Sequence, residues 1–184
     1  GLGTYKLRGQ TCIDIVETAL EMGYRHIDTA EYYNNKHAVG EAIRNSPVDR
    51  EEIFLTTKIW RSNLAYDDAL RSARESLEKL GLEYVDLLLI HWPSTTVPVE
   101  ETLAAMTEFQ QAGNARYLGV SNFSVSELEE ARAVADLPIC TNQVQYNPHT
   151  DQSDLLEYCL DEEIMLTAYS PLAKGRVVDD ETLT

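Results

Sequence analysis

The chain has 184 residues, 31 Asp and Glu against 15 Lys and Arg, and a formal net charge of −16, with enough length for one domain and a sizeable core. That charge excludes a nucleic-acid-binding surface and anionic membranes as partners; no run approaches the ~20 apolar residues of a membrane span, and no secretory leader opens the sequence. Cys12, Cys140 and Cys159 are widely spaced and odd in number, so they read as buried small hydrophobes of a reducing, cytoplasmic compartment and not as a disulfide or zinc framework.

The acid is dispersed in REE, LEE, DEE and VDDE, and only five cations are lysines. Such a surface suits concentrated salt, where screening removes self-repulsion, and a halophilic source is expected.

In chain order, GLGTY opens as a short strand. Residues 11–22 place Ile13, Val16, Ala19 and Leu20 on one helical face, and Gly23 stops that helix. A strand over 24–28 follows, then a polar turn, then a helix over 35–45 with Val39, Ala42 and Ile43 inward. IFLTTKI is a β-branched strand after the loop SPVDREE. Tyr66–Leu80 is helical and ends at Gly81. VDLLLI is continuously apolar, as in a strand buried on both faces. Val99–Ala112 is a helix closed by Gly113, and YLGVS a strand. Ser124 with Glu127 three residues on has capping-box spacing at the next helix. ICTNQV is a strand, Asp151–Asp161 a helix and IMLTAYS a strand, and the tail GRVVDDETLT is expected to begin another helix.

The alternation implies a parallel sheet of seven strands with six helices between them. Both an open doubly wound sheet and a (β/α)8 barrel satisfy it. The G-x-G-x-x-G of a dinucleotide-binding open sheet is absent after the first strand. Asp28, Lys58, His91, Ser121 with Asn122, Gln143, and Tyr169 with Ser170 all fall at strand C-terminal ends, the rim where barrel enzymes assemble their sites. The expected fold is therefore an α/β (β/α)8 barrel, incomplete because the sequence stops after the seventh strand.

The candidate catalytic set is Asp28, Tyr33, Lys58 and His91. A phenol, with a reference pKa near 10, is a poor acid at neutral pH unless a cation stabilises its phenolate. Lys58 is the cation, Asp28 keeps it charged, and Tyr33 is the tuned phenol. His91 beside the phenol can donate to the same substrate oxygen. No nucleophile is paired with a base, which argues against acyl transfer. A proton aimed at a carbonyl oxygen fits reduction by hydride, and hydride requires a cofactor. Trp60 and Trp92 each follow a catalytic residue closely and are expected to wall the substrate pocket, as is Tyr32. His26 shares a strand face with Asp28. A metal site of His26, Asp28 and His91 is disfavoured, because Lys58 would compete for the carboxylate. His26 reads as a hydrogen-bonded interior residue, and His37 and His149 as surface residues.

DTAEYYNN, TTKIW, LLLIHWP, GVSNF, NQVQYNP and AYSPLAKG, in this order, resemble the aldo-keto reductases, closest to prokaryotic members such as the 2,5-diketo-gluconate reductases. The resemblance covers essentially the whole chain. It implies a single barrel domain over 1–184, lacking the N-terminal hairpin and the last βα unit of the family. It also implies a monomeric enzyme that reduces small-molecule aldehydes or ketones with NADPH. NADH stays open, because the segment that grips the 2′-phosphate falls outside the sequence. By resemblance Tyr33 is the general acid, Lys58 and Asp28 tune it, and His91 orients the carbonyl. Ser121, Asn122 and Gln143 would hold the nicotinamide carboxamide, and Tyr169 would stack on its ring. Ser170, Leu172 and Lys174 fall at the pyrophosphate. Thr4 lies near the cofactor and Tyr5 near the pocket. The family also includes channel-associated subunits that keep barrel and cofactor but serve partners, so a non-catalytic regulatory barrel is the alternative. The loop AGNAR departs from the family's usual Gly-Lys before GVSNF.

Overall fold

Apolar runs become strands and 3.6-period stripes become the helices between them throughout residues 1–180, which the computed structural model describes. Among these residues the strands are β1 (Leu2–Gly3), β2 (His26–Asp28), β3 (Phe54–Ile59), β4 (Val85–Ile90), β5 (Ala115–Ser121), β6 (Ile139–Gln145) and β7 (Met165–Tyr169). The helices are α1 (Gly9–Glu21), α2 (Lys36–Asn45), α3 (Tyr66–Leu80), α4 (Val99–Gln111), α5 (Val125–Val134) and α6 (Ser153–Asp161). Each strand pairs in parallel with the next, in the order β1 to β7. The sheet curls into a nearly closed barrel, an incomplete (β/α)8 fold. Among the described residues β1 pairs only with β2, and β7 only with β6.

The register decides where chemistry collects. Gly3 lies beside Asp28, Asp28 beside Thr56, Ser121 beside Gln143, and Gln145 beside Tyr169. The C-terminal ends of successive strands are thus level, and their polar residues share one rim. Below it the barrel is apolar and close-packed: all six residues of β4 are buried, and the expected inward faces of α1 and α2 are buried too. His26 bonds Thr56 inside the barrel, Nε2 to Oγ1 at 3.0 Å, as an interior residue should. At the opposite end, Asp86, 1% exposed, accepts from Arg50 at 2.9 Å, Arg116 at 3.0 Å and the Leu55 N–H at 2.8 Å.

Local signals agree with the elements, while several boundaries move: the first helix runs Gly9–Glu21, the second strand His26–Asp28 and the fifth Ala115–Ser121. Ser124 and Glu127 form both bonds of the capping box at α5. The helix expected from Asp151 starts at Ser153, because the Asp151 carboxylate accepts from the Ser153 N–H at 3.0 Å and its hydroxyl at 2.5 Å, turning the chain before α6. Among the described residues the tail does not begin an α-helix. It forms short 3-10 turns over Ala173–Asp179, interrupted where Lys174 and Gly175 take φ of 58° and 92°. Residues 181–184 of the expected tail helix lie outside the described residues. Cys12 and Cys159 are buried, Cys140 is half-buried, and all three are free thiols. Burial pushes the Cys140 thiol up to about 11.

Helices α2 and α3 approach backbone to backbone at Gly40, where a Cβ would sit 1.8 Å from the Leu80 carbonyl oxygen. That carbonyl also accepts from Arg44, and Gly81 ends α3 with φ of 64°. Gly40→Ala is therefore expected to destabilise the fold by about 3 kcal/mol or more, as a backbone clash that no rotamer relieves. Urea denaturation of both chains measures it.

Candidate active site

Lys58, near the end of β3, points into the barrel and is 1% exposed. A buried ammonium requires acceptors, and three face it. Asp28 Oδ1 lies at 2.5 Å, the Thr29 carbonyl at 3.1 Å and Tyr33 Oη at 3.4 Å. Burial pulls Lys58 below the usual lysine range, with Asp28 opposing. The anion, cation and phenol are thus in contact in the expected order. Tyr33 is carried by a single 3-10 turn, Glu31–Tyr33, between β2 and α2.

The direction of tuning differs from the sequence expectation. The Tyr33 phenol is raised above its ordinary range, first by burial and then by the Asp28 anion. Lys58 sits closer to Asp28 than to Tyr33, so its field is largely matched by the carboxylate. Tyr33 therefore holds its proton throughout the physiological range. His91 follows β4, its N–H bonded to the Ile59 carbonyl at 3.0 Å. Burial and the Lys58 cation depress its imidazole to about 4, so it is neutral at pH 7. Its ring stands edge-on to Tyr33, with centroids 5.8 Å apart, and edge-on to Trp60 at 5.0 Å. His91 Nδ1 is buried with no partner among the described residues, which favours the proton on Nε2.

On the other half of the rim the polar residues bond one another. Gln143 Nε2 donates to Asp28 Oδ2 at 2.8 Å, and the Ser121 hydroxyl donates to the Gln143 carbonyl at 2.7 Å. Asn122 donates to the His91 carbonyl at 2.9 Å and to Ser121 Oγ at 3.0 Å. Tyr169 Oη donates to Asn122 Oδ1 at 3.0 Å. Asn122 takes φ of 64° and Ser170 φ of 49°, left-handed turns that let β5 and β7 end at this rim.

These side chains line one cavity of about 800 Å³. Tyr5, Tyr32, Tyr33, Trp60, His91 and Trp92 form its aromatic side, with Tyr32 stacked on Trp60 at 4.2 Å. Ser121, Asn122, Gln143 and Tyr169 form its polar side, continuing to Ser170, Leu172 and Lys174. Asp28 lines its floor, while Lys58 lies behind Tyr33.

Thr4 stands apart from the other candidates. It is fully buried, and its hydroxyl and N–H both donate to the Asp28 carbonyl at 2.9 Å, so it supports Asp28 from behind the cavity. Gly3, Lys6, Gln145, Pro171 and Gly175 line the cavity and were not singled out from sequence. Gln145, two residues past Gln143 on the same strand face, had the plainest signal. His37 and His149 are exposed, as expected. Among the described residues no group of three or more His, Cys, Asp or Glu side chains is placed to hold a metal ion.

A barrel rim carrying a buried lysine–aspartate pair, a protonated phenol and a neutral imidazole over a large cavity defines an oxidoreductase-type site with no built-in nucleophile. The chain belongs to the aldo/keto reductase family, whose model matches residues 1–184. It is 44% identical over 186 residues to methylglyoxal reductase DkgB of Salmonella typhi, covering all of this chain and 70% of that one. A crystal structure described as a putative 2,5-diketo-D-gluconic acid reductase B superposes with a TM-score of 0.97 at 43% identity, covering 100% of this chain and 66% of that one. The Bombyx mori aldo-keto reductase solved in complex with NADP superposes with a TM-score of 0.83 at 39% identity, covering 92% of this chain and 61% of that one. The family's chemistry is carbonyl reduction with nicotinamide cofactors. Among the described residues no helix is long and apolar enough to cross a membrane.

Lys36, at the start of α2 and 4% exposed, is a second buried lysine. Burial pulls its ammonium down to about 7, with Glu31 opposing and Lys79 and Lys58 adding to the fall. Because the unfolded chain binds this proton more tightly, the folded state is penalised fully below pH 7 and is relieved as pH rises toward the ordinary lysine value. Lys36→Met is expected to stabilise the protein by about 2–4 kcal/mol at pH 6, with the gain shrinking toward pH 10. Denaturation at the two pH values checks the sign.

Proposed function

We propose that this protein is an NADPH-dependent reductase of aldehydes and ketones in which Tyr33 donates the proton. The observation that carries the reading is the chain Asp28–Lys58–Tyr33, ending in a phenol on the cavity wall beside His91. The cofactor fits the residues present. A row of amide and hydroxyl groups, Ser121, Asn122 and Gln143, runs beside the Tyr169 ring on one side of the cavity. Ser121, Asn122 and Gln143 would hold the carboxamide and Tyr169 the nicotinamide ring. Ser170, Leu172 and Lys174 would line the pyrophosphate. When bound, NADPH supplies the hydride.

The protein's own residues then do three things. Tyr33 O–H and the neutral His91 N–H converge on the carbonyl oxygen and orient it. Tyr5, Tyr32, Trp60 and Trp92 give the reacting carbonyl an aromatic wall. Tyr33 releases its proton to the oxygen as negative charge develops there, and Lys58 stabilises the phenolate left behind. The raised phenol is no obstacle. The reduced oxygen is an alkoxide, a far stronger base than any phenolate, so transfer is downhill even from a buried tyrosine. The relative's substrate, methylglyoxal, sets the first class to test, small dicarbonyls and reactive aldehydes.

Tyr33→Phe is expected to lower kcat about 10²–10⁴-fold while leaving NADPH affinity within about twofold. NADPH consumption with methylglyoxal and a fluorescence titration of cofactor measure the two. Loss of cofactor binding in that variant would overturn the proton-donor role, and cofactor binding without turnover in the parent would favour a regulatory barrel. Because His91 stays neutral down to about pH 4, its titration is not expected to impose an acid limb on kcat between pH 8 and pH 5. A limb there that disappears in His91→Gln would contradict its neutral role.

A further inference from the structure

The 3-10 turn that carries Tyr33 is three residues long, and its N-cap residue, Ala30, offers no side-chain cap. A single turn of this kind has little stability of its own. Two adjacent side chains on it nevertheless have to be placed accurately, Tyr33 against Lys58 and His91, and Tyr32 flat on Trp60. Asn35 anchors the C-terminal flank, accepting from Thr29 Oγ1 at 2.7 Å and donating to the Thr4 carbonyl at 2.9 Å.

The other anchor is Glu31. Its Oε2 accepts from the Trp60 N–H at 2.7 Å and the Ser72 hydroxyl at 2.8 Å, and its Oε1 accepts from Asn63 Nδ2 at 2.5 Å. One carboxylate thus ties the turn to the end of β3, to the loop after it and to α3. We propose that Glu31 is a positioning residue for proton transfer. By bonding the Tyr32–Tyr33 turn to the Trp60 loop, it fixes the proton donor and the aromatic wall relative to each other and to the carbonyl between them. It touches neither substrate nor reacting atoms and acts through the turn. The inference rests on Tyr33 being the proton donor.

Geometry, not charge, is the proposed agent, and this separates the variants. In Glu31→Gln the carboxamide oxygen can accept from Trp60 and Ser72, and its NH2 can donate to Asn63 once that amide flips. All three ties survive without the charge. Glu31→Ala removes all three. At a temperature where every variant is folded by near-ultraviolet circular dichroism, Glu31→Ala should lower kcat about 30–100-fold, the penalty of a displaced reacting group. Its NADPH Kd should stay within about twofold, because the proposed cofactor residues sit on and after β5–β7. Glu31→Gln should stay within about threefold of the parent in kcat. Should Glu31→Ala not fold, the double variant Ser72→Ala with Asn63→Ala leaves only the peptide donor, and about a tenfold fall in kcat is expected.

A purely structural Glu31 would lower the melting temperature and leave kcat of the folded variant unchanged. That result, from Glu31→Ala or from the double variant, overturns the proposal. So does a Glu31→Gln variant as impaired as Glu31→Ala, which would make charge the agent. Tyr33→Phe assayed in parallel separates the two readings. If it keeps turnover, the proton-donor assignment has failed. If it is inactive while Glu31→Ala works at full rate, only the positioning role has failed.

Discussion

The buried pair of Lys58 and Asp28 is the constraint on which the rim depends. An ammonium at 1% exposure has no water to solvate it, and leaving it unpaired would be strongly destabilising, about 3–5 kcal/mol. Asp28 answers with one oxygen, at 2.5 Å, and its second oxygen is held by Gln143 at 2.8 Å. From there the bonds run on without a break, from Gln143 to Ser121, from Ser121 to Asn122 and from Asn122 to Tyr169. The chain of contacts starts at β2, takes in β3, β5 and β6, and ends at β7. The barrel brings these strand ends level, and the pair supplies the reason for their side chains to converge.

The same burial sets the protonation states. A site closed enough to hold Lys58 dry also disfavours a phenolate at Tyr33 and an imidazolium at His91. The cavity wall thus carries, side by side, a phenol that keeps its proton and a neutral imidazole. Strong retention of the phenolic proton suits the proposed chemistry. In the proposed reaction the proton would leave only when a stronger base appears beside it, and hydride addition to a carbonyl would create that base.

Much of this was legible in sequence because it depends on local patterns. The alternation of strand and helix, the apolar run VDLLLI, the Ser124–Glu127 spacing and the polar residue at each strand end are all short-range signals, and the structure follows them. The features that were not legible depend on packing between distant segments. The Gln143–Asp28 bond joins residues 115 positions apart. Thr4 reads as a rim residue, yet the backbone turn after β1 buries it under Asp28. The rise of the Tyr33 phenol follows from the burial of the phenol itself, on a turn with no fully buried residue, which no spacing reveals. Glu31 reads as one more acid in an acidic chain, and its partners Trp60, Asn63 and Ser72 are 29, 32 and 41 residues away.

The two ends of the barrel make the contrast between stability and function explicit. At the opposite end, Asp86 accepts from two guanidinium groups and a peptide N–H, and Tyr84 lies between the same two guanidinium groups at 4.1 Å and 4.5 Å. The cluster locks β3, β4 and β5 together, although Arg50 Nε is buried there with no partner among the described residues. At the rim, His91 Nδ1 lacks a partner among the described residues, non-glycine residues sit at positive φ, and a buried lysine is held below its ordinary range. Each of these is unfavourable for folding, and each is borne where a ligand would be bound. The ion cluster around Asp86 ties β3, β4 and β5 together at the end of the barrel away from the cavity, and none of its side chains lines that cavity.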